Sequence, residues 1–498
     1  MRVRNAPPRA SAMLESLRGL GYSTASALAD IIDNSISAGA TTVDIQFNWK
    51  DKSSNIYVLD DGSGMSDQEL EGAMTLGDKN PLETRPPHDL GRFGMGLKTA
   101  SFSQCKRLTV ASKKQGVTSC LRWDLEILTS KPDMGWVLFE GPEPGSENLI
   151  QKLDHLDHGT IVIWELLDRI VTDSFTVDDF LTLMDDQVEP HLAMVFHRLL
   201  EGSNPKLQLN FNKKKIQAWD PFLSGHPAKP WTSPVQKRRT PFGEIEVQCH
   251  VLPHKDKLSE REYETYGGPA GWNAQQGFYV YRNERLLVAG GWLGLGQPRA
   301  WNREEPHRLA RIRLDIPNSA DTDWKIDVKK SVARPPVALR PWLTVMASDT
   351  RERARRAFAF RGSPARVNGG TPIEQAWKVE RTAKGVCYRI DATHPSVLAV
   401  LDDATPAQKD LIFGMLRVIE ETVPVQKIWL DTTENKDTPV TGFASSSDEA
   451  ILKVMETLYR NLVVRKGMNI QDAKSRLTCT DPFQNFPHLI AQLSNPEP

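Results

Sequence analysis

Ile56-Tyr57-Val58-Leu59-Asp60-Asp61-Gly62-Ser63-Gly64-Met65 is the stretch from which the fold is read. Ile56–Leu59 is an apolar run bounded by polar residues, the pattern of a buried strand. Asp60 stands at its end, and glycines follow at 62 and 64. Such glycines let backbone approach a flat ligand, while a carboxylate at the strand end accepts a hydrogen bond from an amino group. Asp-Gly is also a common turn pair, so alone the stretch specifies a strand and a turn. Just before it, Val43–Phe47 reads as a partner strand across the polar turn 50–55.

Working outward toward the N-terminus, residues 11–38 place apolar side chains at helical spacing (Met13, Leu17, Leu20, then Ala27, Ile31), with a Gly-Tyr-Ser break at 21–23 that predicts two helices. In the second, Asp30 and Asn34 are four apart and share a face, where a carboxylate and a carboxamide can hold a hydrated cation or orient a water. Asp33 is rotated away from that face. Toward the C-terminus, residues 77–92 carry Pro81, Pro86 and Pro87 and read as a loop. Gly91-Arg92-Phe93-Gly94-Met95-Gly96-Leu97-Lys98-Thr99 then leads into a predicted helix, Leu97–Ser103, an arrangement suited to phosphate oxygens. Leu97 separates Gly96 from Lys98, so the Gly-Lys adjacency of a P-loop is missing. Leu108–Ala111, Cys120–Leu125 and Thr160–Trp164 are further predicted strands.

In order and spacing these segments resemble the GHKL ATPase superfamily, which includes gyrase B, the ninety-kilodalton heat-shock chaperone, histidine kinases and MutL, and the MORC and MutL branches above all. Ala29–Ser35 resembles the family's N box, Asp60–Gly64 its adenine-binding box, Gly91–Lys98 its phosphate-lid box and His158-Gly159-Thr160 its later Gly-Thr element. The resemblance implies a helix-on-sheet sandwich of the Bergerat type (an α/β fold) that binds ATP with Mg2+. It places Asp60 on the adenine amino group, Gly62, Gly64 and Met65 in the base pocket with Ala38, and Thr160 on the adenine side. Asn34 would hold the metal, Gly91, Arg92, Phe93, Gly94, Met95, Gly96, Leu97 and Lys98 would lie along the phosphates, and residues 66–96 would close as a lid. The family's general base is a Glu four residues before the Asn, and here that position is Asp30, one methylene shorter. Slow hydrolysis is the expectation. Ser37 replaces the usual acid three residues after the Asn.

Beyond about 205 a second α/β region is expected from Leu207–Phe211, Ile245–Val251, Gly277–Leu287 and Ile312–Ile316, followed by a helix at 338–360. Trp219–Phe222, Gly277–Leu287 and Asp323–Lys330 resemble the transducer domain of the same group, where a lysine reaches the γ-phosphate. That implies a catalytic Lys330, or Lys329, since strand alternation turns only one of them inward. The domains expected are 1–200 (ATP-binding), 201–361 (transducer), a linker at 362–372, and an α/β domain at 373–498 with helices near 394–403, 406–422 and 447–466.

Lys+Arg number 62 against Asp+Glu 63, a net charge of −1, so any nucleic-acid footprint must be local. Between Lys329 and Arg366 ten basic residues face only Asp349 and Glu352. Arg340, Arg351, Arg355 and Arg356 are the candidate contacts to duplex DNA, and the other reading of the run is a solvated helix face paired with acidic neighbours. The five cysteines form no Cys-x-x-Cys pair, and no apolar run reaches membrane-spanning length. With no apolar signal core at Met1–Ala10, the expectation is a cytoplasmic protein without a membrane partner. No phospho-accepting histidine precedes Asp30, which disfavours a kinase, and His191 and His197 read as structural. The resemblance further implies a homodimeric clamp acting on DNA. It also suggests a prokaryotic restriction or anti-phage setting with helicase, nuclease or methyltransferase partners. A nucleotide-gated scaffold or chaperone-like protein with little hydrolysis is the alternative.

Overall fold

Ser23 starts the helix on which the site is built. Its hydroxyl accepts from the Ser26 N–H while the Ser26 hydroxyl accepts from the Ser23 N–H, a reciprocal cap that opens helix α2 (Thr24–Ser37). Helix α1 (Ala10–Arg18) has ended before it, so the break at 21–23 lies between two helices as expected. The computed structural model describes all residues except 1–7, 79–95, 242, 321–322, 328–329, 331, 359–372, 383–384, 403, 429–442, 444–446 and 495–498. The chain divides into two compact units, 1–359 and 360–498.

An eight-stranded mixed sheet underlies α2. Its strands are β1 (Thr42–Asn48), β2 (Asn55–Asp60), β3 (Arg107–Lys114), β4 (Val117–Asp124), β5 (Phe139–Glu140), β6 (Gly159–Glu165), β7 (Gln208–Phe211) and β8 (Lys214–Lys215). They lie in the order β5-β4-β3-β6-β2-β1-β7-β8. Val43, Ile45 and Phe47 of β1 are buried in alternation with half-buried neighbours, so one face of the strand meets the helices. Ala27, Leu28, Ile31 and Ile32 of α2 fill that core with Val58, Val110 and Trp164. Helices α3 (Asp67–Met74) and α4 (Gly96–Phe102) complete the layer, and α2 packs directly on α4.

The first sheet does not end near residue 200. Gln208–Phe211, assigned from sequence to the second region, runs parallel to β1 with Thr42 opposite Gln208. Alternation of apolar residues marks a half-buried strand but not the sheet that it joins.

A second sheet has the order β10 (Gln236–Thr240), β11 (Gly243–Val251), β14 (Ala310–Asp315), β12 (Gly277–Arg282), β13 (Arg285–Ala289), with β9 (Trp231–Thr232) also paired to β11. The helix Arg340–Phe358 packs against β11 and β14 and buries Leu343, Ala347 and Ala354. Met194, from the helix Glu189–Val195, sits in an aromatic cluster with Phe222, Tyr279 and Tyr281, which joins the two sheets within the first unit.

The unit 360–498 contains the hairpin β15 (Trp377–Thr382) and β16 (Gly385–Ile390), and the helices Pro395–Leu401, Pro406–Thr422, Asp448–Arg460 and Ile470–Thr478. Ile451, Met455, Leu477 and Leu489 form its core. Among the described residues no helix is long and apolar enough to cross a membrane.

Candidate functional site

Two corners of the site hang from α2. The first surrounds Asp60, at the end of β2. Its carboxylate is buried, accepts from the Ser35 hydroxyl at 2.7 Å and from the Gly62 N–H at 2.9 Å, and is further bonded by the Thr160 backbone. Burial still outweighs these neutral donors and pushes the Asp60 carboxyl above its ordinary value. Thr160, on β6 opposite Asp60, shares its hydroxyl with Ser112 at 2.8 Å, and the Ser112 hydroxyl accepts from the Met65 N–H.

The glycines are required by crowding. Gly64 has φ +66°, and a Cβ there would sit 2.0 Å from the Lys113 carbonyl oxygen. A Cβ on Gly159 would meet the Asp60 carbonyl oxygen at 2.2 Å, and one on Gly62 would lie 2.9 Å from the Ala38 methyl. The Ser63 N–H bonds the Ala38 carbonyl, which ties the turn to the end of α2. His158 Nδ1 lies 2.6 Å from the Gly62 carbonyl oxygen and carries the proton there, since a carbonyl only accepts. Asp60, Gly62, Gly64, Met65, Ala38 and Thr160 therefore stand together. Ser35, Ser112 and His158 join them without having been singled out as site residues; Ser35 and His158 lay within the quoted motifs, and Ser112 gave no signal.

The second corner surrounds Asp30. The Tyr22 hydroxyl donates to its Oδ2 at 2.9 Å, and Lys330 Nζ donates to its Oδ1 at 2.9 Å and to Asp33 Oδ2 at 2.5 Å. Arg285, on β13, donates through Nε to both oxygens of Asp33 at 3.1 and 3.2 Å and places Nη2 3.8 Å from Asp30 Oδ1. All four charged side chains are nearly removed from solvent. Burial alone raises the Asp33 carboxyl, but Arg285 and Lys330 outweigh it and hold that carboxyl below the ordinary range.

The sequence reading set Asp33 aside. The structure places it beside Asp30 as the link to the second sheet. Its signal was a charge on a helix face otherwise committed to the core; Arg285 gave none, because it stands with Arg282, Asn283 and Glu284 in a polar stretch between two apolar ones. Lys330 is brought to the site not from the expected strand but from a turn, with φ +53° and its N–H bonded to the Asp327 carbonyl, while Lys329 lies outside the described residues.

Asn34 is exposed, one turn beyond Asp30. Its carboxamide oxygen is a hard, neutral donor of the kind Mg2+ accepts alongside water and phosphate, so the residues present fit that ion. Gly96 opens α4 next to Asp30, where a Cβ would come to 3.9 Å of Oδ2, and Leu97 is half-buried against the core. Lys98 is turned inward. Its Nζ donates to the carbonyls of Ala73 and Thr75 at 2.8 and 2.9 Å, where it satisfies the end of α3. The segment expected to act as a lid thus begins with a helix whose Leu70 and Met74 are buried. Gly91, Arg92, Phe93, Gly94 and Met95 lie outside the described residues.

The basic run divides. Arg340, Arg355 and Arg356 are exposed, the last two near Glu352. Arg351 does not belong with them. It is buried, its guanidinium lies 4.7 Å from the ring centroids of both Trp292 and Trp301, and it pairs with Glu304. His197 bonds the Tyr281 hydroxyl through Nε2 at 2.7 Å and Glu201 through Nδ1.

Residues 22–160 match the family described as histidine kinase-, DNA gyrase B- and HSP90-like ATPase. The chain is 31% identical to ATPase morc-1 of Caenorhabditis elegans over 96 residues, 19% of this chain and 11% of that protein. It is 31% identical to ATPase MORC2 of Homo sapiens over 98 residues, 19% and 9% respectively. With the DNA mismatch repair protein MutL of Shewanella loihica it shares 37% over 93 residues, 18% and 15%. The matched stretch spans about a tenth of the MORC proteins' length. With the mixed sheet, the capped α2 and the glycine turn at Asp60, these matches make residues 22–160 a domain of the GHKL ATPase superfamily, related to those of MORC and MutL.

Proposed function

We propose that the chain binds ATP with Mg2+ and hydrolyses it slowly to ADP and phosphate, as a homodimeric clamp that acts on DNA. The observation that carries the reading is Lys330: a residue some 300 positions beyond α2 sets its ammonium between Asp30 and Asp33. Phosphoryl transfer asks little covalent chemistry of a protein and much positioning and charge neutralisation. In this reading Asp60 accepts the adenine amino hydrogen, in a pocket made by Gly62, Gly64, Met65, Ala38 and Thr160. Asn34 would hold Mg2+, which would supply charge to offset that of the phosphates. Lys330 faces the γ-phosphate, and Asp30 takes the proton of the attacking water. Residues 201–361 then act as a transducer, because Lys330 and Arg285 both come from that side.

The exposed Arg340, Arg355 and Arg356 support DNA contact, as do the DNA-linked names of the MutL relatives. A defence or restriction setting with helicase, nuclease or methyltransferase partners rests on the resemblance alone. The second reading, a nucleotide-gated scaffold with little turnover, is favoured by one observation: Lys330 and Tyr22 already occupy both oxygens of Asp30.

Titration calorimetry with Mg-ATP, followed by light scattering with a non-hydrolysable analogue with and without duplex DNA, tests the proposal. Binding with a doubling of mass supports the clamp. Absence of heat on well-folded protein ends the reading. Binding with phosphate release near background and unmoved by DNA favours the scaffold.

A further inference from the structure

The family resemblance implies a longer acid at the position of Asp30, so a short carboxylate must be held where a long one could reach. We infer that Tyr22 is the positioning residue that fixes Asp30 for its work as a base, an inference that rests on the ATPase reading above.

Tyr22 lies in the break between α1 and α2, eight residues before Asp30. Its side chain places the hydroxyl 2.9 Å from Asp30 Oδ2, within α2. Tyr22 is 8% exposed. Its main chain is anchored as well: Gln104 donates to the Tyr22 carbonyl at 3.4 Å and accepts from the Thr24 hydroxyl at 2.8 Å, which ties the break to the end of α4. Burial first, and then the charge of Asp30, keep the phenol proton on at any working pH, so Tyr22 is a permanent donor.

The geometry divides the carboxylate in two. Oδ2 is committed to Tyr22, and Oδ1 faces Lys330, the group that in this reading moves to the γ-phosphate. When Lys330 engages the phosphate, Oδ1 is the oxygen freed for water, while Tyr22 keeps the carboxyl plane from turning. An aspartate has one torsion fewer than a glutamate to search. Fixing its second oxygen leaves a single orientation, the condition under which a base contributes to the rate.

Tyr22→Phe removes one oxygen and keeps the ring volume. The expected result is a fall in kcat of about tenfold, with KM and the calorimetric affinity for Mg-ATP within about twofold and the thermal midpoint kept. Tyr22→Phe/Asp30→Glu, in which the longer acid takes up the space of the lost hydroxyl, is expected to exceed both single variants in kcat. Turnover of Tyr22→Phe equal to wild type overturns the inference. So does a loss of ATP affinity in step with kcat, because Tyr22 is then a packing residue. Wild-type protein that binds ATP without hydrolysing it removes the base and with it this role. Wild-type protein that binds no ATP removes the ATPase reading itself, a failure that calorimetry separates from the others.

Discussion

At the C-terminal end of α2, Asp60 is held by neutral donors: the Ser35 hydroxyl and the Gly62 and Thr160 backbones. In the middle of the same helix, Asp33 is held by the charges of Arg285 and Lys330, and Asp30 by Lys330 and Tyr22. The two arrangements move buried carboxyls in opposite directions, Asp60 up and Asp33 down. A carboxylate ringed by dipoles keeps acceptor capacity that a ligand's amino group can use. One ringed by cations is already neutralised, and it responds when a competing anion arrives and draws a cation away.

The largest effect expected is on turnover. Asp30→Ala should lower kcat by about 10²- to 10⁴-fold, the usual contribution of a positioned base, with calorimetric ATP affinity within a few-fold. Unchanged turnover would remove Asp30 from the base role. Next, Arg285→Met should destabilise the first unit by about 3–5 kcal/mol in urea unfolding, because Asp33 loses one of its buried partners. Asp33→Asn/Arg285→Met should regain most of that. If the two single changes simply add, the charge-paired corner is not a coupled unit.

Asp60→Asn should weaken ATP binding by about a hundredfold or more, ~2.7 kcal/mol. It should also raise the thermal midpoint of the nucleotide-free protein at neutral pH. The sign follows from the raised folded pKa of Asp60. Stability linked to its protonated form is full below the unfolded value and lost as pH rises through the folded one.

The smallest effect is the mirror image. The lowered folded pKa of Asp33 makes its contribution full above the unfolded value of about 3.9 and lost as pH falls through the folded one. The acid-unfolding curve of Asp33→Asn should therefore be flatter than wild type below about pH 4.

The dipole-held corner was legible because its parts lie close in sequence and obey local rules. Strand, carboxylate and glycine turn are contiguous, and α2 shows its period and cap. The charge-held corner was legible only in halves. Asp30 and Lys330 were found through motifs, while Asp33 and Arg285, 252 residues apart, were missed because helical spacing describes one element at a time. Arg351 misled for the same reason. A dense basic run reads as a surface, and only the folded chain brings Trp292 and Trp301 around one of its members. Lys98 sits in a phosphate motif, yet in this structure it donates to the carbonyls that end α3.

The strand Gln208–Phe211 bears on how the protein can be divided. A fragment that stops at residue 200 would leave the β1 backbone from Thr42 to Ile45 without its outer neighbour, an open template for intermolecular pairing. Aggregation of such a truncated piece would say nothing about nucleotide chemistry. A boundary drawn after Lys215 keeps that border covered.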